Sequence, residues 1–398
     1  MKELPPGWEW TTLGGVLTFH YGKGLVSGSR RHGTVPIMGS SGVVGTHDSA
    51  LTERACIVIG RKGSAGSVYW CPEPCWPVDT VYFAYAPDRV SPQFLYHLLL
   101  HLQLRKLDSS TAVPSLLRQD LEAVSVPFPP WEEQRRIVAE VEKQMSRLDL
   151  ATVSLRTIEA KLAAASRSIL QKTCEHSDPL ATGSCVGDVS ECLDRQRIPV
   201  NAEERKRRGG SVPYFGANGQ VGWIDKPIFN EPLILVVEDE TFVGRTKPFA
   251  YRIEGPSWVN NHAHVLRPNA NISLRYLHYA LMYYPFTPLT TGSTGRRKLT
   301  QNALMAAPLC LPKPEEQHRR VESLDRWFSI ADQLGQTIDS ATQRAARLRQ
   351  AILHKAFAGK LVPQDPNDEP ASVLLERIRA TRAQTPARRA PRKREVHA

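Results

Sequence analysis

No apolar run in this 398-residue chain approaches the length of a membrane span. The longest, residues 233–237 among them, fall far short of the roughly 20 residues a spanning helix needs. The opening Met1-Lys2-Glu3-Leu4-Pro5-Pro6 has no apolar signal core, so a cytoplasmic chain is expected. Cysteine is scarce. Seven scattered residues, an odd number, fit a reducing compartment better than a disulfide framework. No G-x-x-x-x-G-K-[ST] loop occurs. Gly22-Lys23-Gly24 and Gly60-Arg61-Lys62-Gly63 lack the spacing, and Gly60, Gly63 and Gly66 do not make G-x-G-x-x-G, so nucleotide hydrolysis has no visible seat.

Other catalytic signatures are equally thin. Pro87-Asp88 with Glu159-Ala160-Lys161 has the outline of a nuclease core, but its second part falls inside a predicted long helix. Cys71-Pro72-Glu73-Pro74-Cys75 and His262-Ala263-His264 are half metal sites without a companion pair. They read better as structural cysteines and a strand with alternating histidines, so no metal and no catalytic residue is assigned. Acidic residues are outnumbered 40 to 51, giving a net charge of +11 and a pI near 9.4. From Glu376 onward eight Lys or Arg face two Glu, so more than half the excess lies in a tail expected to be disordered past Thr385. Charge alone supports nucleic-acid binding only modestly.

What is present is a duplication. Pro129 opens P-P-W-E-E-Q-R-R-I-V and Pro312 opens P-K-P-E-E-Q-H-R-R-V, 183 positions apart. Ile169-Leu170-Gln171-Lys172 and Ile352-Leu353-His354-Lys355 keep the same offset without a gap. Within the first copy Val141, Leu148, Leu155, Leu162 and Ile169 recur every seventh residue, with Gln144, Ala151, Ile158 and Ala165 on a second stripe. The second copy places Leu324, Ala331, Ile338, Ala345 and Ile352 on one stripe, and Trp327, Leu334, Ala341 and Leu348 on the other. A seven-residue apolar period predicts helices wound on each other. The expected pairing residues are Val141, Leu148, Leu155, Ile158, Leu162 and Ile169 against Leu324, Leu334, Ile338, Leu348 and Ile352. At about 1.5 Å per residue each helix would be roughly 60 Å long.

The flanking regions repeat as well. Val35-Pro36-Ile37-Met38-Gly39-Ser40-Ser41-Gly42-Val43-Val44-Gly45-Thr46-His47-Asp48 matches the fourteen residues from Val212 to Asp225 at seven positions, three of them glycine. Short β-prone runs broken by turns precede a helix opened by Ser91-Pro92. The predicted architecture is α+β with pseudo-twofold symmetry: strand-rich domains at 1–128 and 180–311, antiparallel paired helices at 129–175 and 312–358, and a C-terminal segment at 359–398.

Candidate binding residues sit in the loops of both domains. Lys23, Arg30 and Arg31 occupy a Gly/Ser-rich loop, Arg61 and Lys62 a hairpin tip, and Arg245 with Lys247 the similar place in the second domain. Ser293 and Thr294 lead into the basic run Arg296, Arg297 and Lys298, and Asn218 and Gln220 lie in the repeated glycine turn. Such side chains hold phosphates or read base edges. Arg205-Lys206-Arg207-Arg208 reads equally well as a solvated turn. Two similar heads at a fixed separation suit duplex DNA. A methyltransferase or nuclease with an unfamiliar site, and a coiled-coil adaptor binding only protein, are the competing readings.

The pattern resembles the specificity subunit of type I restriction–modification systems over nearly the whole chain. Its marks are Leu4-Pro5-Pro6-Gly7-Trp8, the two P-x-x-E-E-Q openings, and Ala356-Phe357-Ala358-Gly359-Lys360-Leu361 running on through Gln364-Asp365-Pro366. The first helix ends Gln171-Lys172-Thr173-Cys174 without A-F-x-G-x-L, so the two halves are not expected to make equivalent contacts there. The resemblance implies two target recognition domains, each reading half of a bipartite DNA sequence, on a non-enzymatic chain. Two modification subunits would bring S-adenosylmethionine and methylate adenine. Restriction subunits would supply ATP-driven, magnesium-dependent translocation and cleavage, and the long helices would dock the modification subunits.

Overall fold

The computed structural model describes residues 3–107, 114–174, 182–240, 242–292 and 297–384. The chain forms two compact units, Met1–Ser154 with Ala341–Ala398, and Leu155–Ser340. No helix among the described residues is long and apolar enough to cross a membrane.

In unit 1 a four-stranded antiparallel sheet runs Thr18–Tyr21, Val81–Tyr85, Cys56–Gly60, Val68–Cys71. All five residues of Cys56–Gly60 are buried, as a strand covered on both faces requires. A second sheet pairs the hairpin Val35–Gly39/Gly42–His47 with Trp76–Pro77, which runs parallel to the first hairpin strand. The helix Pro92–Leu102 has Ser91 as its cap and buries Phe94, Leu95, Leu98 and Leu99 against the first sheet.

Unit 2 repeats this plan register for register. Its main sheet runs Ser190–Cys192, Ala263–Pro268, Leu233–Val237, Ala250–Ile253. The hairpin Val212–Gly216/Gly219–Ile224 carries Pro256–Val259 as its parallel neighbour. Both hairpins shift register at one place, between Ile37 and Met38 and between Tyr214 and Phe215. The turn glycines Gly42 and Gly219 have φ of +101° and +108°, where a side chain would be strained. That is why the turn glycine recurs in the sequence.

The two long helices are Trp131–Cys174 and Pro314–Phe357. The shared E-E-Q opening anchors each one to its own domain. Gln134 Oε1 accepts the Ser91 N–H at 3.2 Å and its Nε2 donates to the Pro129 carbonyl at 3.0 Å. Gln317 repeats both bonds, to Ser273 at 2.8 Å and Pro312 at 3.0 Å, and adds the Asn271 carbonyl at 3.2 Å. Both amides are fully buried.

The helices pair antiparallel. In unit 1, Ile137 and Val141 of the first share a core with Ile352, Leu353, Ala356 and Phe357 of the second, and Asp149 pairs with Arg349. In unit 2, Trp327 Nε1 donates to Ser166 Oγ at 3.1 Å and Arg320 Nη1 to the Thr173 carbonyl at 2.9 Å. One stripe forms the seam. Leu324, Ala331, Ile338, Ala345 and Ile352 are buried, as is Val141, while Leu148, Leu155, Leu162 and Ile169 are half-buried. The second stripe differs from expectation: Ile158, Leu334 and Leu348 are 50%, 45% and 46% exposed. A single pair of helices has one interface, so a flanking stripe stays open unless a third element covers it.

The A-F-x-G-x-L ending serves unit 1 itself. Gly359 turns the chain at φ +66°, and a Cβ there would lie 2.2 Å from Pro5. Gln364 then reaches Glu133 at 3.0 Å, and Glu133 also accepts the Trp8 indole N–H at 2.9 Å. Burial pushes the Glu133 carboxyl above its usual range. The helix Ala371–Gln384 buries Leu374, Leu375 and Ile378 in the same core, and Arg382 caps the Gly14 and Gly15 carbonyls. The predicted disordered end past Thr385 lies outside the described residues.

Gln317→Leu strands the Ser273 N–H and two carbonyls and is expected to cost about 2–4 kcal/mol in chemical unfolding of the full chain. Seam and stripe separate by truncation. Ile338→Ala should cost about 2–4 kcal/mol, whereas Leu334→Ala should stay within about 0.5 kcal/mol. Equal losses would restore the two-stripe interface.

Candidate nucleic-acid interface

The basic residues singled out in the sequence divide into two kinds. Most arginines are used inside their own unit. Arg30 donates to the Val44 carbonyl at 3.2 Å, and Arg31 pairs with Asp48 at 2.8 Å while its backbone N–H reaches His47. The Arg61 guanidinium lies over the Tyr21 and Tyr82 rings, at 5.4 and 6.0 Å. Arg245 bonds the Pro248 carbonyl at 2.8 Å and lies over Phe249. Arg297 bonds both oxygens of Thr290.

The lysines behave differently. Lys23, Lys62 and Lys247 are exposed. The loop beneath Lys23 is nevertheless held: its N–H donates to the Pro77 carbonyl at 2.9 Å, and its carbonyl accepts the Trp76 indole at 3.0 Å. A fixed backbone therefore presents a free cation. Lys298 is the exception, paired with Glu238 at 2.9 Å. Ser293, Thr294 and Arg296 lie outside the described residues.

Two predicted residues meet directly. Asn218 Oδ1 accepts from Arg245 Nη2 at 2.7 Å, joining the glycine turn to the following loop. Gln220 bonds the Gly222 carbonyl within its own hairpin at 3.2 Å, its side chain exposed.

Unit 2 also holds a buried ionic cluster that sequence reading missed. Arg197 pairs with Asp194 at 3.1 Å and Glu238 at 2.6 Å, and His264 Nδ1 faces Asp194 at 2.5 Å. Burial pushes the Glu238 carboxyl up, but hydrogen bonds from Arg197 and Lys298 outweigh it and hold the group below its usual range. Asp194 is held low in the same way, burial being outweighed first by its bond to His264. Cys192, Asp194 and His264 lie close enough for a shared metal ion, yet the Arg197 guanidinium already supplies the positive charge beside Asp194. The only sequence signal was the alternation His262/His264, with His262 exposed and His264 buried.

The run Arg205-Lys206-Arg207-Arg208 is not a turn. It completes the helix Ala202–Arg208, capped by Asn201. Arg205 lies over Tyr214 at 4.7 Å and Arg208 over Trp258 at 4.4 Å, with Arg208 also bonding Asp225. Lys206 and Arg207 face solvent. The spacing of Arg205 and Arg208, three apart, was the available signal. The neighbouring hairpin exposes Val221 and Trp223 at 50% and 54%, and the unit 1 hairpin exposes Val43 at 64%. Each unit thus presents exposed cations outside its hairpin and uncovered apolar side chains on it, chemistry suited to phosphates and base edges.

The model of the type I restriction modification DNA specificity domain matches residues 5–160 and again 182–341. The chain is 21% identical over 441 residues to the specificity subunit of the type I restriction enzyme EcoDI of Escherichia coli, covering 98% of this chain and 99% of that one. It is 23% identical over 410 residues to the EcoBI specificity subunit of Escherichia coli, covering 85% and 82%. A chain from a solved type I restriction–modification assembly shares the fold, with a TM-score of 0.69 at 22% identity over 91% of this chain and all of the other. Two copies of that domain fill most of the sequence, and the chain belongs to the type I restriction modification DNA specificity family.

Proposed function

We propose that the chain is the DNA-recognition subunit of a type I restriction–modification complex, each unit reading one half of a bipartite target. The paired helices set the distance between half-sites and dock the modification subunits. The chain is not the catalyst. S-adenosylmethionine, ATP and magnesium belong to the modification and restriction subunits, and the complex works in the cytoplasm.

The observation that carries this reading is the duplication down to strand register. Trp76 and Trp258 sit at the same parallel pairing, beside hairpins with the same bulge and the same left-handed glycine. Two copies of one binding edge are what a two-part duplex site calls for. The open apolar stripe supports the docking role: Ile158 and Leu334 in unit 2 and Leu348 in unit 1 stay exposed within their own units.

Exchanging residues 1–128 for those of a relative with another target should change one half of the methylated sequence, mapped as modified adenines in cells. A change in both halves would refute the division of labour. Lys23→Ala and Lys247→Ala should each weaken binding of the assembled complex to cognate and scrambled duplex alike. Each should also reduce the slope of log affinity against log salt by about 1. An unchanged slope would remove that lysine from the phosphate contacts.

A further inference from the structure

Three thiols meet inside unit 1. Cys56 opens the central strand Cys56–Gly60, and Cys71 lies opposite it in the antiparallel register at the end of Val68–Cys71. Cys75 returns after the turn Pro72-Glu73-Pro74 and leads into Trp76–Pro77. The three are 1%, 5% and 0% exposed. Their sulfurs all lie within 4.8 Å of one another, Cys56 and Cys75 at 3.7 Å. Metal–thiolate bonds of about 2.3 Å place sulfurs around one cation about 4 Å apart, which this spacing matches. Thr52 closes the group, accepting the Cys75 N–H at 2.7 Å with its hydroxyl 3.7 Å from the Cys75 sulfur.

A buried cysteine is often no more than a small apolar side chain, and unit 2 shows what the fold itself asks for here. There the corresponding strand pair is Leu233 opposite Ile253, and the residue before the matching tryptophan is Ser257. The architecture is satisfied by Leu, Ile and Ser, so three converging thiols are not needed for packing. Soft sulfur donors in this number select soft cations.

We propose that Cys56, Cys71 and Cys75 form a three-thiolate site for one thiophilic d10 cation, Zn2+ or Cu+. Without a cation the thiols cannot all ionise in apolar surroundings. Cation binding therefore releases thiol protons. The bound ion would tie the turn before Trp76 to the central strand. Since Trp76–Pro77 pairs with Val35–Gly39, it would brace the exposed hairpin from behind.

The test uses the full chain, purified reduced and without chelator. Elemental analysis should find one zinc or copper per chain. After stripping, titration with Zn2+ in one arm and Cu+ in another should saturate at one equivalent in the arm of the native cation. Cd2+ should produce a sulfur-to-metal charge-transfer band that saturates likewise. Cys75→Ser, the residue unit 2 carries, should lose that band, whereas Cys185→Ser should keep it. A folded wild-type chain without the band, an undiminished band in Cys75→Ser, or two of these thiols joined as a disulfide in the chain from cells would overturn the site. If Cys75→Ser fails to fold, the wild-type titration decides.

Discussion

A buried amide side chain at the foot of each long helix sets the terms for the rest of the structure. Gln134 and Gln317 each accept from the N–H of a serine that begins a domain helix, and each donates to the proline carbonyl that begins the long helix. Backbone groups removed from water must be paired. An amide supplies donor and acceptor on one flat group, so a single side chain satisfies both elements at once. The long helix cannot change its exit from the domain without stranding these groups. That explains why the P-x-x-E-E-Q opening appears at the foot of both long helices.

The same logic sorts the charges. Guanidinium groups have several donors in a fixed fork, and here Arg30, Arg245, Arg297 and Arg382 spend them on carbonyls of their own unit. Ammonium groups are better hydrated and remain outside, as at Lys23, Lys62 and Lys247. Exposed pairs such as Arg31 with Asp48 are weakly held, so a phosphate could compete for the arginine. The buried Arg197 cluster is different. Releasing one partner there would leave a largely buried charge short of a counter-ion, so the cluster holds Asp194, Glu238 and His264 together.

The two helix pairings show how a repeat can keep one register in sequence and be unequal in use. Both ends follow the same heptad stripe, yet only the second helix continues into Gly359 and the segment that folds back on Trp8 and Glu133. Unit 1 therefore closes over its helix foot with a strap that has no counterpart among the described residues of unit 2. In unit 2 the corresponding Glu316 instead pairs with Arg319 and Arg320.

The sequence by itself determined the plan: two related α+β domains, two long helices, their heptad seam, and the glycine turns. These follow from local periodicity and backbone geometry, which neighbouring residues dictate. It could not separate seam from open stripe, because Leu334 and Ile338 look alike until the number of packing partners is known. Nor could it tell a clamping cation from a free one, since Arg245 and Lys247 are near neighbours with opposite fates. The meeting of Cys56 with Cys71 and Cys75, and of Asp194 with His264, was decided only in the folded chain. Folding there joins residues 19 positions apart, as at Cys56 and Cys75, and 70 apart, as at Asp194 and His264, and no local pattern encodes those meetings.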